Sequence, residues 1–298
     1  MSEAANVAAN VAGTDTGDRR RIAERFAARD GGKLLIPYIT AGDPGLDTTL
    51  ALMHTLVEAG SDIIELGIPF SDPMADGPVI QLACERALRA GTRLVDVLET
   101  VRRFRENDDD TPVVLMGYLN PVERLGYEAF ADQAIAAGVD GVLTVDLPPE
   151  EAGTLGDELA RVGLDAIYLL SPTTSDKRLA RVAALGSGYL YYVSLKGVTG
   201  AAKLDTTEVA SRVTHLKSMA DLPVAVGFGI RDAESAATIA AAADAVIVGS
   251  ALVALIGEHG DDAPTLHREI GELVGGMRRA MDAVSPTPPS IPSPTGRG

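Results

Sequence analysis

Short, almost unbroken apolar runs recur along the chain. They are LLIPYIT (34–40), DIIELGI (62–68), VVLMG (113–117), GVLTVD (141–146), DAIYLL (165–170), YLYYVS (189–194), PVAVGFG (223–229) and AVIVGS (245–250). Runs of this length without polar alternation are expected of strands buried on both faces. Between them the spacing of apolar positions changes to three and four, the period of a helix with one apolar stripe. After the first run, Asp47 is placed to cap a helix whose Leu50, Met53 and Leu56 share a face, and Gly60 is placed to end it. The closing helix carries Leu266, Ile270, Leu273, Met277, Met281 and Val284 at such spacings; its Gly275-Gly276 pair weakens it by roughly 1 kcal/mol per glycine. LVDVLETVRRF (94–104) reads as an extra helix in the long gap between runs two and three. A leading helix over roughly 18–29 precedes run one, and a further helix fits the connection after run eight.

Strict strand-then-helix alternation requires parallel strands with right-handed crossovers. Eight such units predict an α/β chain closed into a single (β/α)8 TIM barrel. The alternative, an open doubly wound sheet, usually places GxGxxG after its first strand; here that turn reads TAGDPG (40–45). The expected organisation is a disordered tail over 1–17, a barrel over 18–284 and a disordered Pro/Ser-rich tail, SPTPPSIPSPTGRG, over 285–298.

Composition narrows the chemistry. The 298 residues are 46% hydrophobic and 23% charged, with a formal net charge of −16. No basic cluster of useful size exists for nucleic acid, and the charge opposes an anionic membrane surface. A phosphate substrate would have to be held by local backbone donors against the global field. The single cysteine, Cys84, excludes an internal disulfide and fits a reducing, cytoplasmic setting; its helical phase makes it a small buried hydrophobe. No apolar run approaches the ~18 residues that span a bilayer, and the N-terminus does not have the pattern of a secretory signal.

In barrels of this kind the active site lies at the C-terminal ends of the strands. Along run two, Ile63, Glu65 and Gly67 face one way and Ile64 and Leu66 the other. Glu65 therefore points into the barrel, with Gly67 leaving space beside it. An unpaired buried carboxylate must be paired, protonated or useful. A salt bridge to a distant strand is one reading; a raised pKa suited to proton transfer is the other. Asp76 lies eleven residues further on, in ADGP, inside a loop shaped by prolines. Asp-Gly is also a common turn pair, and chemistry alone leaves both readings open. If the loop folds back over the mouth, two carboxylates in different environments can divide acid and base work. The glycines of GVTG (197–200), GFG (227–229) and Gly249-Ser250 follow runs six, seven and eight, where barrels hold phosphate. His54, His215 and His267 fall in crossover helices and His259 in a late connection, with no metal-ligand spacing. Lys196, at the end of run six, is the competing candidate, as a Schiff-base lysine.

These residues together resemble the α-subunit of tryptophan synthase. ELGIPFSDPMADGP (65–78) is the most specific match. PYITAGDPG (37–45), GYLNP (117–121), DLPPEE (146–151), YYVSLKGVTG (191–200) and GFGIR (227–231) follow in the family's order, so the likeness covers roughly 18–284. Leu195-Lys196 is a departure, since some members carry other residues before GVTG. The resemblance implies a lyase that cleaves indole-3-glycerol phosphate by a retro-aldol step to indole and glyceraldehyde 3-phosphate. It implies Glu65 as general acid/base and Asp76 as the carboxylate that holds the indole N–H. Gly200, Gly229, Gly249 and Ser250 match the phosphate-binding positions. Tyr38, Tyr191, Thr199 and Phe228 match the substrate pocket, although ordinary barrel core is the other reading of the aromatic ones. The family also implies a pyridoxal-phosphate β-chain partner in an α2β2 heterotetramer, with indole passing between the chains and no cofactor or metal on this one. The loop from Phe70 to Pro78, with Phe70 and Met74, and the segment from Asp146 are the candidate interfaces. Three other readings are a different phosphate-binding barrel, a Schiff-base aldolase using Lys196, and a non-catalytic activator of a β-chain.

Overall fold

In the computed structural model, residues 20–29, 31–194, 206–227 and 229–284 are described. Eight strands form a closed parallel barrel: β1 (Leu34–Thr40), β2 (Ile64–Gly67), β3 (Val113–Gly117), β4 (Gly141–Thr144), β5 (Asp165–Leu170), β6 (Leu190–Val193), β7 (Val224–Gly227) and β8 (Ala245–Val248). Each pairs with the next, and β8 closes on β1 with Leu34 opposite Ala245. The predicted TIM barrel is therefore present. β1, β3 and β5 coincide with their apolar runs. The others are shorter at one or both ends, as β2, which begins at Ile64 and ends at Gly67, shows.

Around the barrel lie α1 (Arg21–Ala28), α2 (Leu46–Glu58), α3 (Pro78–Arg89), α4 (Leu94–Phe104), α5 (Leu119–Leu125), α6 (Tyr127–Ala137), α7 (Gly153–Val162), α8 (Asp176–Leu185), α9 (Thr206–Met219), α10 (Ala233–Ala240), α11 (Ser250–His259) and α12 (Ala263–Asp282). The extra helices before β1, between β2 and β3 and after β8 are all found. One more was not foreseen. Gly126, at φ 91°, divides the connection after β3 into α5 and α6. Asp47 does not cap α2: Gly45 occupies that position, and Asp47 lies in the first turn paired with Arg103. α12 runs unbroken through Gly275 and Gly276, and its buried face also includes Val274 and Arg278.

Strand alternation divides the apolar residues into two cores. Leu35, Ile39, Ile64 and Leu66 point outward and pack under the helices. Leu34, Ile36, Ile63, Val114, Leu143, Ile167 and Ile247 fill the barrel, and α1 inserts Ile22 and Phe26 among them. α1 thus closes the barrel floor, with the Phe26 ring 6.2 Å from that of Tyr189.

Acids placed just before even-numbered strands tie the floor together. Asp62 accepts the Leu35 N–H, Asp140 the Val113 N–H and Asp244 the Val224 N–H, each reaching the preceding strand. Asp140 also binds Arg21 at 2.9 Å and Arg105 at 2.7 Å, and Asp62 binds Arg29 at 2.7 Å and Arg278 at 2.9 Å. Two buried carboxylates, each between two guanidiniums, rivet α1, α4 and α12 to the strands. Removing one member of a buried ion network strands the remaining charges, at a cost of about 3–5 kcal/mol. Asp140→Ala is therefore expected to lower the urea midpoint by that order of stability. An unchanged midpoint would mean the floor is held by packing alone.

Candidate active site

Glu65 sits on β2 opposite Tyr38 of β1 and Val114 of β3, and it is fully buried. Its expected inward orientation is correct, and no described residue supplies the salt bridge of the other reading. The Tyr189 phenol donates to Oε1 at 2.7 Å, and among the described residues Oε2 has no hydrogen-bond partner. Among the described residues no cation pairs with it. Burial pushes the Glu65 carboxyl up to about 8, with the Tyr189 phenol opposing part of the rise. Near neutral pH the group holds its proton and can release it.

Two tyrosines wall this carboxyl. Gly67 leaves no empty space, contrary to expectation. The Tyr38 phenol lies so close over it that any Cβ there would overlap Oη. Gly227 admits Tyr191 in the same way, and a Cβ there would come within 2.5 Å of its Oη. Both glycines are needed for aromatic approach. Burial raises both phenols well above their ordinary values; Glu65, Tyr38 and Asp76 add to the rise at Tyr191. Tyr191 thus lies in the electrostatic field of both candidate acids.

Asp76 lies in the connection from β2 to α3, which folds back over the mouth. Its Oδ2 accepts from Tyr118 Oη at 2.9 Å, and the same phenol accepts the Ala75 N–H at 2.9 Å. Gln81 Nε2 donates to the Asp76 carbonyl at 2.9 Å. Burial raises the Asp76 carboxyl from its ordinary value and the Tyr118 hydrogen bond opposes the rise. Phe70 stacks on Tyr118 at 5.1 Å and is partly buried, so it is less available as interface than its position suggested. Met74 is 86% exposed.

Across the mouth, Gly249 caps α11 and Ser250 is its first, exposed residue, where the unpaired N–H groups of a helix start collect. Gly249 lies against Tyr38: a Cβ on it would be 3.4 Å from the ring. Gly229 follows β7 with φ at 75°, a left-handed conformation that favours glycine. Thr199, Gly200, Phe228 and Lys196 lie outside the described residues. Among the described residues no cluster of His, Cys, Asp and Glu could hold a metal, and no helix is long and apolar enough to cross a membrane. Cys84 is buried in α3, as expected.

Tyr189 and Tyr118 were not anticipated as partners of the two acids. Tyr189 is two residues before Tyr191, so strand alternation places both on the inner face; that signal was available. Tyr118 stands at the end of β3, where its neighbours come from a distant loop.

A closed parallel barrel of eight strands, each followed by helix, with one acid buried in its interior and a second in the connection over its mouth, defines a (β/α)8-barrel protein. The sequence profile of the tryptophan synthase alpha chain family matches residues 26–282. A tryptophan synthase alpha chain of Marinobacter nauticus is 60% identical over 255 residues, 86% of this chain and 94% of its own. One of Nitrosococcus oceani is 58% identical over 265 residues, 88% and 98% of the two chains. The crystal structure of tryptophan synthase subunit alpha from Legionella pneumophila str. Paris superposes with a TM-score of 0.83 at 47% identity, covering 89% of this chain and 99% of that one. A chain of the tryptophan synthase complex from Pyrococcus furiosus does so at 0.73 and 38% identity, covering 83% and 98%. The chain belongs to the tryptophan synthase alpha chain family, and with it to the lyases of tryptophan synthesis.

The buried acid has a consequence for stability. The folded pKa of Glu65, about 8, exceeds its ordinary value of 4.5. In that window the unfolded chain has released the proton and the folded one has kept it. Stability therefore falls as pH rises from 4.5 to about 8 and levels off above. Glu65→Gln lacks this penalty, so its urea stability relative to wild type is expected to improve by several kcal/mol between pH 5 and pH 8. An equal difference at both pH values would place the Glu65 pKa in the ordinary range.

Proposed function

We propose that Glu65 and Asp76 cleave indole-3-glycerol phosphate to indole and glyceraldehyde 3-phosphate, and that this chain hands the indole to a β-chain. The carrying observation is the Glu65 carboxyl, buried with no cation among the described residues and raised to about 8. The retro-aldol step needs a proton delivered to ring carbon 3 and one removed from the adjacent glycerol hydroxyl. A protonated Glu65 gives its proton to the ring, which becomes a cationic iminium. As carboxylate it then takes the hydroxyl proton. The carbon–carbon bond breaks, its electrons restore the indole, and the former hydroxyl carbon becomes the aldehyde. Glu65 ends protonated, as it began. Asp76, in the more open setting, remains ionised, holds the ring N–H and offsets the positive charge of the iminium.

The phosphate binds the backbone donors of Gly200, Gly229, Gly249 and Ser250. This solves the charge problem posed by a chain of net −16, since neutral N–H groups at a helix start attract an anion locally. Tyr38, Tyr191, Thr199 and Phe228 line the pocket between the phosphate and the acids. The partner is a pyridoxal-phosphate β-chain in an α2β2 assembly, met through the loop Phe70 to Pro78 and the segment from Asp146. The exposed Met74 supports the first surface. This chain carries no cofactor of its own and works in the cytoplasm.

Glu65→Gln keeps shape and loses the proton carrier, so indole release in the presence of the β-chain is expected to fall by about 10²–10⁴-fold while substrate still binds. In the wild type, kcat/KM should decline above pH ~8 as free Glu65 deprotonates. Near-normal turnover by the variant, or a rate unaffected by pH across that range, would assign the acid/base elsewhere.

A further inference from the structure

The connection that carries Asp76 is held from two sides. From α3, Gln81 Nε2 reaches the Asp76 carbonyl at 2.9 Å and the Pro73 carbonyl at 3.3 Å. From the end of β3, one phenol oxygen makes two contacts of opposite sense. Tyr118 Oη accepts the Ala75 N–H and donates to Asp76 Oδ2, each at 2.9 Å. A phenol has one proton to donate. With the backbone amide supplying its proton to the oxygen, the phenol O–H is left to point at the carboxylate. The ring is fixed as well, being 3% exposed and stacked on Phe70 at 5.1 Å. Among the described residues, nothing engages Asp76 Oδ1.

We propose that Tyr118 is a positioning residue for Asp76: its phenol, oriented by the Ala75 N–H, fixes Oδ2 and thereby presents Oδ1 to the ring N–H of the substrate. The inference rests on Asp76 being the carboxylate that receives that N–H. It also gives the phenol an electrostatic duty. A donor to the anion favours the ionised form, against the burial that raises the Asp76 carboxyl. The other titratable groups that face Asp76 are Cys84 of α3, Tyr38 of β1 and Tyr191 of β6. None is a cation, so among the described residues the Tyr118 hydrogen bond is the interaction that opposes burial. Tyr118 itself is pushed up by burial, then by Asp76, which keeps its proton in place as donor across the neutral range.

Tyr118→Phe removes the oxygen and keeps the ring and its stacking on Phe70. The test has two readouts. The first is the titration of Asp76 in the isolated full-length chain, followed by carboxyl 13C NMR and assigned by its disappearance in Asp76→Asn. Tyr118→Phe is expected to move the Asp76 titration to higher pH. The second is indole release with the β-chain across pH. The acid limb, where Asp76 must ionise, should shift upward with it, the alkaline limb should stay, and kcat should drop on the order of 10-fold. A variant that unfolds at lower denaturant yet titrates Asp76 as the wild type does would assign Tyr118 a structural role and overturn the proposal. So would an unmoved acid limb with unchanged kcat. If Asp76 shifts in the NMR titration but wild-type protein releases no indole, positioning by Tyr118 stands and the substrate reading fails.

Discussion

The interior of this barrel holds a carboxyl group that, among the described residues, meets a phenol and no cation. A carboxylate moved from water into an apolar core loses hydration, which must be replaced by charge or hydrogen bonds if it is to remain ionised. Tyr189 supplies one hydrogen bond to Oε1, and among the described residues Oε2 has no hydrogen-bond partner. One bond is insufficient, so the proton stays on to about pH 8. The surrounding structure enforces that outcome. Tyr38 lies over Gly67 and Tyr191 over Gly227, and the two rings occupy space that water would otherwise take. Behind Tyr189, α1 closes the floor with Phe26 and Ile22. The same apolar packing that stabilises the barrel holds the Glu65 carboxyl protonated near neutrality, at a cost in stability.

Acids at the other end of the barrel have the opposite duty. Asp62 and Asp140 are as deeply placed, yet each receives a backbone N–H and two guanidiniums. The number and charge of partners, more than depth, separates these two acids from Glu65. This division follows the usual barrel arrangement, with stability at the strand N-termini and chemistry at their C-termini. Asp76 lies between these extremes: half-buried and held by one phenol, whose hydrogen bond opposes the rise that burial causes.

Much of the fold was legible because buried parallel strands need continuous apolar runs and helices need a stripe. β1, β3, β5 and α4 match their runs residue for residue. The break between α5 and α6 escaped notice because one glycine at positive φ causes it, and a glycine there does not announce its dihedral angle. At the site, alternation alone turned Glu65 inward. Its partner was hidden by 124 residues of separation, although the inner face shared by Tyr189 and Tyr191 pointed the way. The pairing of Asp76 with Tyr118 spans 42 residues and depends on how the connection after β2 folds back, which no local pattern encodes. Gly67 was read as space and proved to be the seat of an aromatic ring. A bare glycine reports that something approaches closely without saying what.

Burial, with no cation among the described residues, makes Glu65 a neutral acid in the resting protein. Infrared difference spectroscopy between wild type and Glu65→Gln at neutral pH tests it directly. The wild type is expected to show the carbonyl stretch of a protonated carboxylic acid, giving way to carboxylate bands as pH passes about 8. Carboxylate bands alone at neutral pH, with no protonated carbonyl assignable to Glu65, would contradict it.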